Sequence, residues 1–93
     1  MTTQEITSKG FALVDRFIVC KYNEIMYNGR EEMEDYYEEA VEEANEIALR
    51  LEKVKAWFIK NDLYSNLKHY ASNLSTVNWE QREAKEQLTN IIL

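Results

Sequence analysis

Nine carboxylates crowd into the 16-residue stretch EEMEDYYEEAVEEANE: Glu31, Glu32, Glu34, Asp35, Glu38, Glu39, Glu42, Glu43 and Glu46. Carboxylates do three kinds of work in proteins. Two held in unlike environments can act as general acid and general base. Several converging from a loop can hold a hard cation such as calcium. Many spread over one surface set up a field that draws in a cationic partner. Which of these applies depends on the backbone that carries them.

That backbone reads as a helix. Met33, Tyr37, Ala40, Ala44, Ile47, Leu51, Val54 and Phe58 lie alternately four and three residues apart, the heptad rhythm of a buried helical seam. The spacing predicts a second helix from about Glu31 to Ile59 or Lys60, its seam roughly 39 Å long at the helical rise. On a helical wheel the nine acids fill the half opposite the seam, so they face water. Six pairs fall four residues apart, from Glu31 with Asp35 to Glu42 with Glu46. Their repulsion costs about 1 to 3 kcal/mol in all. Only Glu31, Glu32 and Glu34 stand close enough to the helix start to gain from its dipole.

A straight face does not converge oxygens on a calcium ion, and acids that all face water share one environment. Surface charge remains, with three possible uses. It can keep the chain soluble. It can pair two copies, because the same helix ends in Arg50, Lys53, Lys55 and Lys60 and an antiparallel homodimer along the seam sets acid beside base. Or it can stand in for phosphates. Duplex DNA presents one charge per about 1.7 Å; nine carboxylates over about 24 Å of helix come to one per roughly 2.7 Å, and two such helices in a dimer reach the duplex value. Mimicry needs charge concentrated on one rigid face despite the repulsion, and solubility does not.

The remaining reactive residues are few. His69 is the sole histidine, so neither a zinc site nor a histidine-based triad can be assembled. Asn66 stands where a Glu-x-x-His pair for a di-iron bundle would need glutamate. Cys20, the only cysteine, lies on an apolar stripe and reads as buried filler more than as a nucleophile; no internal disulfide is possible. There is no glycine-rich phosphate loop. No cofactor or metal is implied, and the chain is not expected to be an enzyme. Tyr36 flanks the acids as a margin-of-core residue or an interface anchor, and Trp57 and Trp79 read as core or dimer contacts.

Three more helices complete the reading. The first spans about Thr3 to Tyr27, with Thr2 and Glu5 as a capping box and two apolar stripes: Ile6, Leu13, Phe17, Cys20 and Phe11, Val14, Ile18, Ile25. Asn28-Gly29 stops it, and the tight turn predicts that helices one and two lie antiparallel. After Asn61, Asp62 is expected to cap a third helix with Leu63, Leu67, Tyr70 and Leu74 on one face. Ser75 to Asn78 is a break, and Asn78 with Gln81 forms a capping box for a last helix carrying Ala84, Leu88 and Ile91. The fold class is all-α: one small bundle of about four helices over residues 1–93.

Bulk properties agree. The chain has 93 residues, no proline and two glycines, too few turn formers for an all-β fold. It lacks an apolar run long enough to span a membrane and a signal-like first segment, which predicts a cytoplasmic location. The net charge is −6, which argues against phosphate binding. Outside the acidic stretch, however, eight acids face 11 bases. The acidity is a patch.

The stretch EEMEDYYEEAVEEANE, together with the chain's length and helicity, resembles the small acidic DNA-mimic proteins that phages use against host defences, chiefly the anti-restriction proteins of the Arn type from T-even phages. The resemblance covers the second helix, and the rest only by general character. It implies an inhibitor that occupies the DNA-binding groove of a host restriction nuclease of the McrBC type, or of another host DNA-binding protein. Anti-CRISPR inhibitors of this size share the same character. The alternative is a helical interaction or assembly subunit whose acidic face is merely solvated.

Overall fold

A computed structural model describes residues 2–93. It contains four α-helices: α1 (Thr3–Tyr27), α2 (Glu34–Lys60), α3 (Tyr64–Ser72) and α4 (Trp79–Ile92), with one 3-10 turn, Glu31–Met33, ahead of α2. The bundle measures 45 × 25 × 18 Å, its long axis set by α2.

The α1 start matches its capping signal, since Glu5 N–H donates to Thr2 Oγ1 at 3.2 Å. At the other end Asn28 N–H returns to the Glu24 carbonyl at 3.1 Å. Gly29 then takes φ +78°, a left-handed conformation in which a side chain is strained. The chain reverses there, and α1 and α2 run antiparallel: Tyr27 meets Tyr36, Arg16 meets Glu43, and Gly10 meets Phe58.

Five of the eight seam positions are closed within the chain, while Met33, Tyr37 and Val54 are half-buried. Ala40, Ala44, Ile47, Leu51 and Phe58 are buried, and Val14, Phe17, Cys20, Leu67, Ala71, Leu88 and Ile92 from the other three helices complete that core. This overturns only the part of the homodimer expectation that placed a second copy on these seam residues; the other form of that expectation, a dimer through an adjacent apolar face, does not involve them. A second copy could reach these side chains only by displacing α1, whose Val14 is itself 0% exposed. At its N-terminal end α2 also starts later than its pattern implies, because Glu31–Met33 winds as a 3-10 turn.

Asp62 does not cap α3. It sits at φ 60° as the reversal residue of α2, where Leu63 N–H bonds the Phe58 carbonyl at 2.8 Å and Asp62 N–H bonds that of Ile59 at 3.2 Å. These two bonds form the helix-ending motif that glycine usually occupies. The N-cap of α3 is Leu63, without a side-chain bond. Replacing Asp62 by Gly should therefore raise stability by about 0.5 to 1 kcal/mol, since the left-handed strain exceeds glycine's extra chain entropy. A urea titration of both chains checks this, and a loss of stability would show the strain to be absent.

α3 and α4 close the bundle. Phe11 stacks on Tyr70 (4.2 Å between centroids), and Tyr70 O–H donates to the Asp15 carboxylate at 2.8 Å, tying α3 to α1. Lys85 Nζ caps the Ser72 and Leu74 carbonyls at 2.8 and 2.9 Å, which holds α4 to the end of α3. The α4 start uses Asn78 Oδ1 as acceptor for Gln81 N–H at 2.9 Å. The reciprocal bond differs from the expected box, because Gln81 Oε1 accepts from Val77 N–H at 2.8 Å and fixes the residue before the cap. On α4 the buried stripe is Ala84, Leu88 and Ile92, with Ile91 at its margin.

Candidate functional site

The acidic face begins on the 3-10 turn and continues for three turns of α2. Glu31, Glu32, Glu34, Asp35, Glu38, Glu39, Glu42, Glu43 and Glu46 are all exposed. They lie on one rigid rod because Ala40, Ala44 and Ile47, one helical face away, are locked into the core. Small alanines at two of these seam positions let α1 approach closely.

The nine are not equivalent. Arg16 of α1 reaches Glu43 at 3.6 Å, and Arg50, one turn on, holds Glu46 at 2.8 Å. Both pairs are about half exposed, so each is worth little to stability. Their effect is on the field: they balance the last two carboxylates. Glu31, Glu32, Glu34, Asp35, Glu38, Glu39 and Glu42 have no lysine or arginine partner among the described residues. Seven carboxylates without an ion pair thus occupy roughly 18 Å, one per about 2.5 Å. That lies between the spacing of a single DNA strand, about 3.4 Å, and of the duplex, about 1.7 Å.

Sequence pattern alone did not pick out Arg16. The signal is arithmetic about the turn: with Gly29-Arg30 at the reversal, antiparallel helices place residue 16 level with residue 43. The Glu46–Arg50 contact is an ordinary four-residue pair.

Tyr36 is 58% exposed, so it is not a core-margin residue. Its ring rests near that of Tyr27, 6.0 Å between centroids. Behind Tyr27, at the base of the face, lies a cleft of about 270 Å³ lined by Tyr27, Gly29, Arg30, Glu31, Glu34 and Tyr37, among others. Trp57 packs edge-on against Phe58 at 5.4 Å, as a core contact should. Trp79 is 60% exposed, which corrects its reading as a core residue; it opens α4 on the solvent side.

Cys20 is buried. Burial first, and then the Glu43 carboxylate, push its thiol upward from the ordinary range. It stays protonated near neutral pH and packs as an apolar group. His69 is exposed, beside Phe11, Ser65, Asn66 and Tyr70. Among the described residues no three His, Cys, Asp or Glu side chains converge as a metal site, and no helix is long and apolar enough to cross a membrane.

Fold and site together define a class: a small all-α bundle that displays a rigid, charge-dense acidic helix. No family model, no curated protein and no solved structure matches the chain.

Proposed function

We propose that this is an inhibitory binding protein whose acidic face stands in for DNA phosphates in the basic groove of a host DNA-binding protein. A defence nuclease of the McrBC restriction type is the target the sequence resemblance favours. The observation that carries the reading is the run of seven exposed carboxylates that form no ion pair among the described residues, with Arg30 at one end, held at a spacing between those of single-stranded and duplex DNA. A groove that attracts DNA through its field attracts this surface by the same steering. Inhibition follows from occupancy, with no bond made or broken by the protein, in the cytoplasm where such a target meets its DNA.

Rigidity supports the same reading. A flexible acidic tail would carry equal charge but lose ordering entropy on binding. Here the backbone that carries the carboxylates is fixed in advance by the buried seam. The test is a pull-down from host lysate with the wild-type chain as bait and a chain with all nine acids changed to Gln or Asn as control. We expect DNA-binding proteins on the wild type alone, released by duplex DNA and by moderate salt. If both baits retain the same partners, the acidic face is only a solvated surface and the protein works through another one, as an assembly subunit would.

A further inference from the structure

We infer that the cleft between the end of α1 and the start of α2 is a receptor for one arginine side chain of the partner. For the partner's identity this rests on the phosphate-mimic reading; for the chemistry of the cleft it does not.

Three observations point to a guanidinium. First, the cleft's size, about 270 Å³, falls below the range that cofactors and drug-sized ligands fill and suits a single side chain. Second, Tyr27 and Tyr37 are among the residues that line it, and aromatic faces attract cations, with arginine favoured because its plane can also stack. Tyr36 rests on Tyr27 and so supports that ring from outside the cleft. Third, Glu31 and Glu34 line the cleft against a single base, Arg30, leaving carboxylates in excess. Glu31 and Glu34 carry no ion pair among the described residues, so both remain open to an incoming cation.

The cleft differs from the rest of the acidic face in kind. Along α2 the carboxylates project into solvent and attract any cation through the field, which salt screens over roughly 10 Å. The cleft gathers two carboxylates and two aromatic residues around one base, a setting in which an ammonium gains less than a guanidinium because it neither stacks nor forks. The face thus supplies long-range steering, and the cleft fixes where along the groove the protein stops.

The experiment titrates N-acetylarginine amide into the ¹⁵N-labelled full chain and follows amide shifts, with sodium chloride of equal ionic strength as reference. Saturating shifts are expected at Asn28, Gly29, Arg30 and Glu31, with only small linear drifts around Glu38 and Glu42. Glu34→Gln should weaken the cleft affinity about two- to fivefold, Tyr27→Leu by a similar factor, and Arg30→Ala should strengthen it. All three sites are at least partly exposed, and a native amide spectrum confirms that each variant is folded. Shifts spread evenly along α2, or equal weakening by Glu34→Gln and Glu42→Gln, overturn the receptor. Because the probe is free arginine, this outcome is separate from the pull-down: arginine captured by the cleft with no DNA-binding partner retained keeps the receptor and discards the mimicry.

Discussion

A chain in which Asp35, Glu38, Glu39 and Glu42 are all changed to Lys is expected to lose target binding by more than about a hundredfold while keeping its helical spectrum. The four are exposed and lie in the stretch without internal cations. Reversal turns four attractions with a basic groove into four repulsions, each of order 1 kcal/mol. Single changes should do far less, because the charges act together. The fold should survive, since none of the four contributes to the core and several like-charge pairs four residues apart become opposite pairs worth about 0.2 to 0.5 kcal/mol each. Binding would be measured as an association rate across a salt series. Steering predicts a steep salt slope for the wild type and a flat one for the variant. A variant that is folded and binds as before removes this face from the function.

The second large effect concerns what holds that face rigid. Phe58 is fully buried and packs against Phe11 at 6.3 Å and Trp57 at 5.4 Å. It also fills the space over Gly10, where an added Cβ would come within 2.8 Å of the ring. Phe58→Ala should cost about 3 to 5 kcal/mol, a large part of the roughly 5 to 14 kcal/mol expected for a chain of this length. Gly10→Leu should also destabilise strongly, by overpacking against the same ring, even though leucine is the better helix former. The decisive observation is the double variant. Removing the ring opens the space the new side chain needs, so the combined loss should fall short of the two single losses together by more than about 1 kcal/mol. Urea unfolding of the four chains measures this, and strict additivity would mean that α1 and α2 do not meet at Gly10 and Phe58.

Much of this architecture was legible in the sequence. The heptad rhythm from Met33 to Phe58 located α2, and the Thr2 cap and the Asn28-Gly29 stop bounded α1 to the residue. Patterns of this kind report local backbone preference and the sidedness of burial, which the chain carries position by position. Two things were less visible. Asp62 was read as a cap because aspartate favours that role, yet it also tolerates the left-handed region, and the closing of α2 over Phe58 decided between the two. The seam was open to either a second copy or α1, because an apolar stripe does not name its partner; the length of α1 and the tight turn give it an intramolecular one at far higher effective concentration. The acidic residues themselves were plain from composition. What needed three dimensions was their division by Arg16 and Arg50 into a free set and a balanced set, and the cleft at their base.

That division also acts as a ruler. The two arginines end the uncompensated charge about 18 Å from where it begins, the length of roughly five base-pair steps, or half a turn of duplex. If the acidic face stands in for phosphates as proposed, a protein that grips DNA over half a turn would find that length covered, by seven carboxylates against about ten phosphates. On the same proposal, one that grips a full turn would keep half of its phosphate contacts vacant, and DNA itself would outcompete this protein there. On that proposal the breadth of targets would be limited by Arg16 and Arg50 as well as by the nine acids.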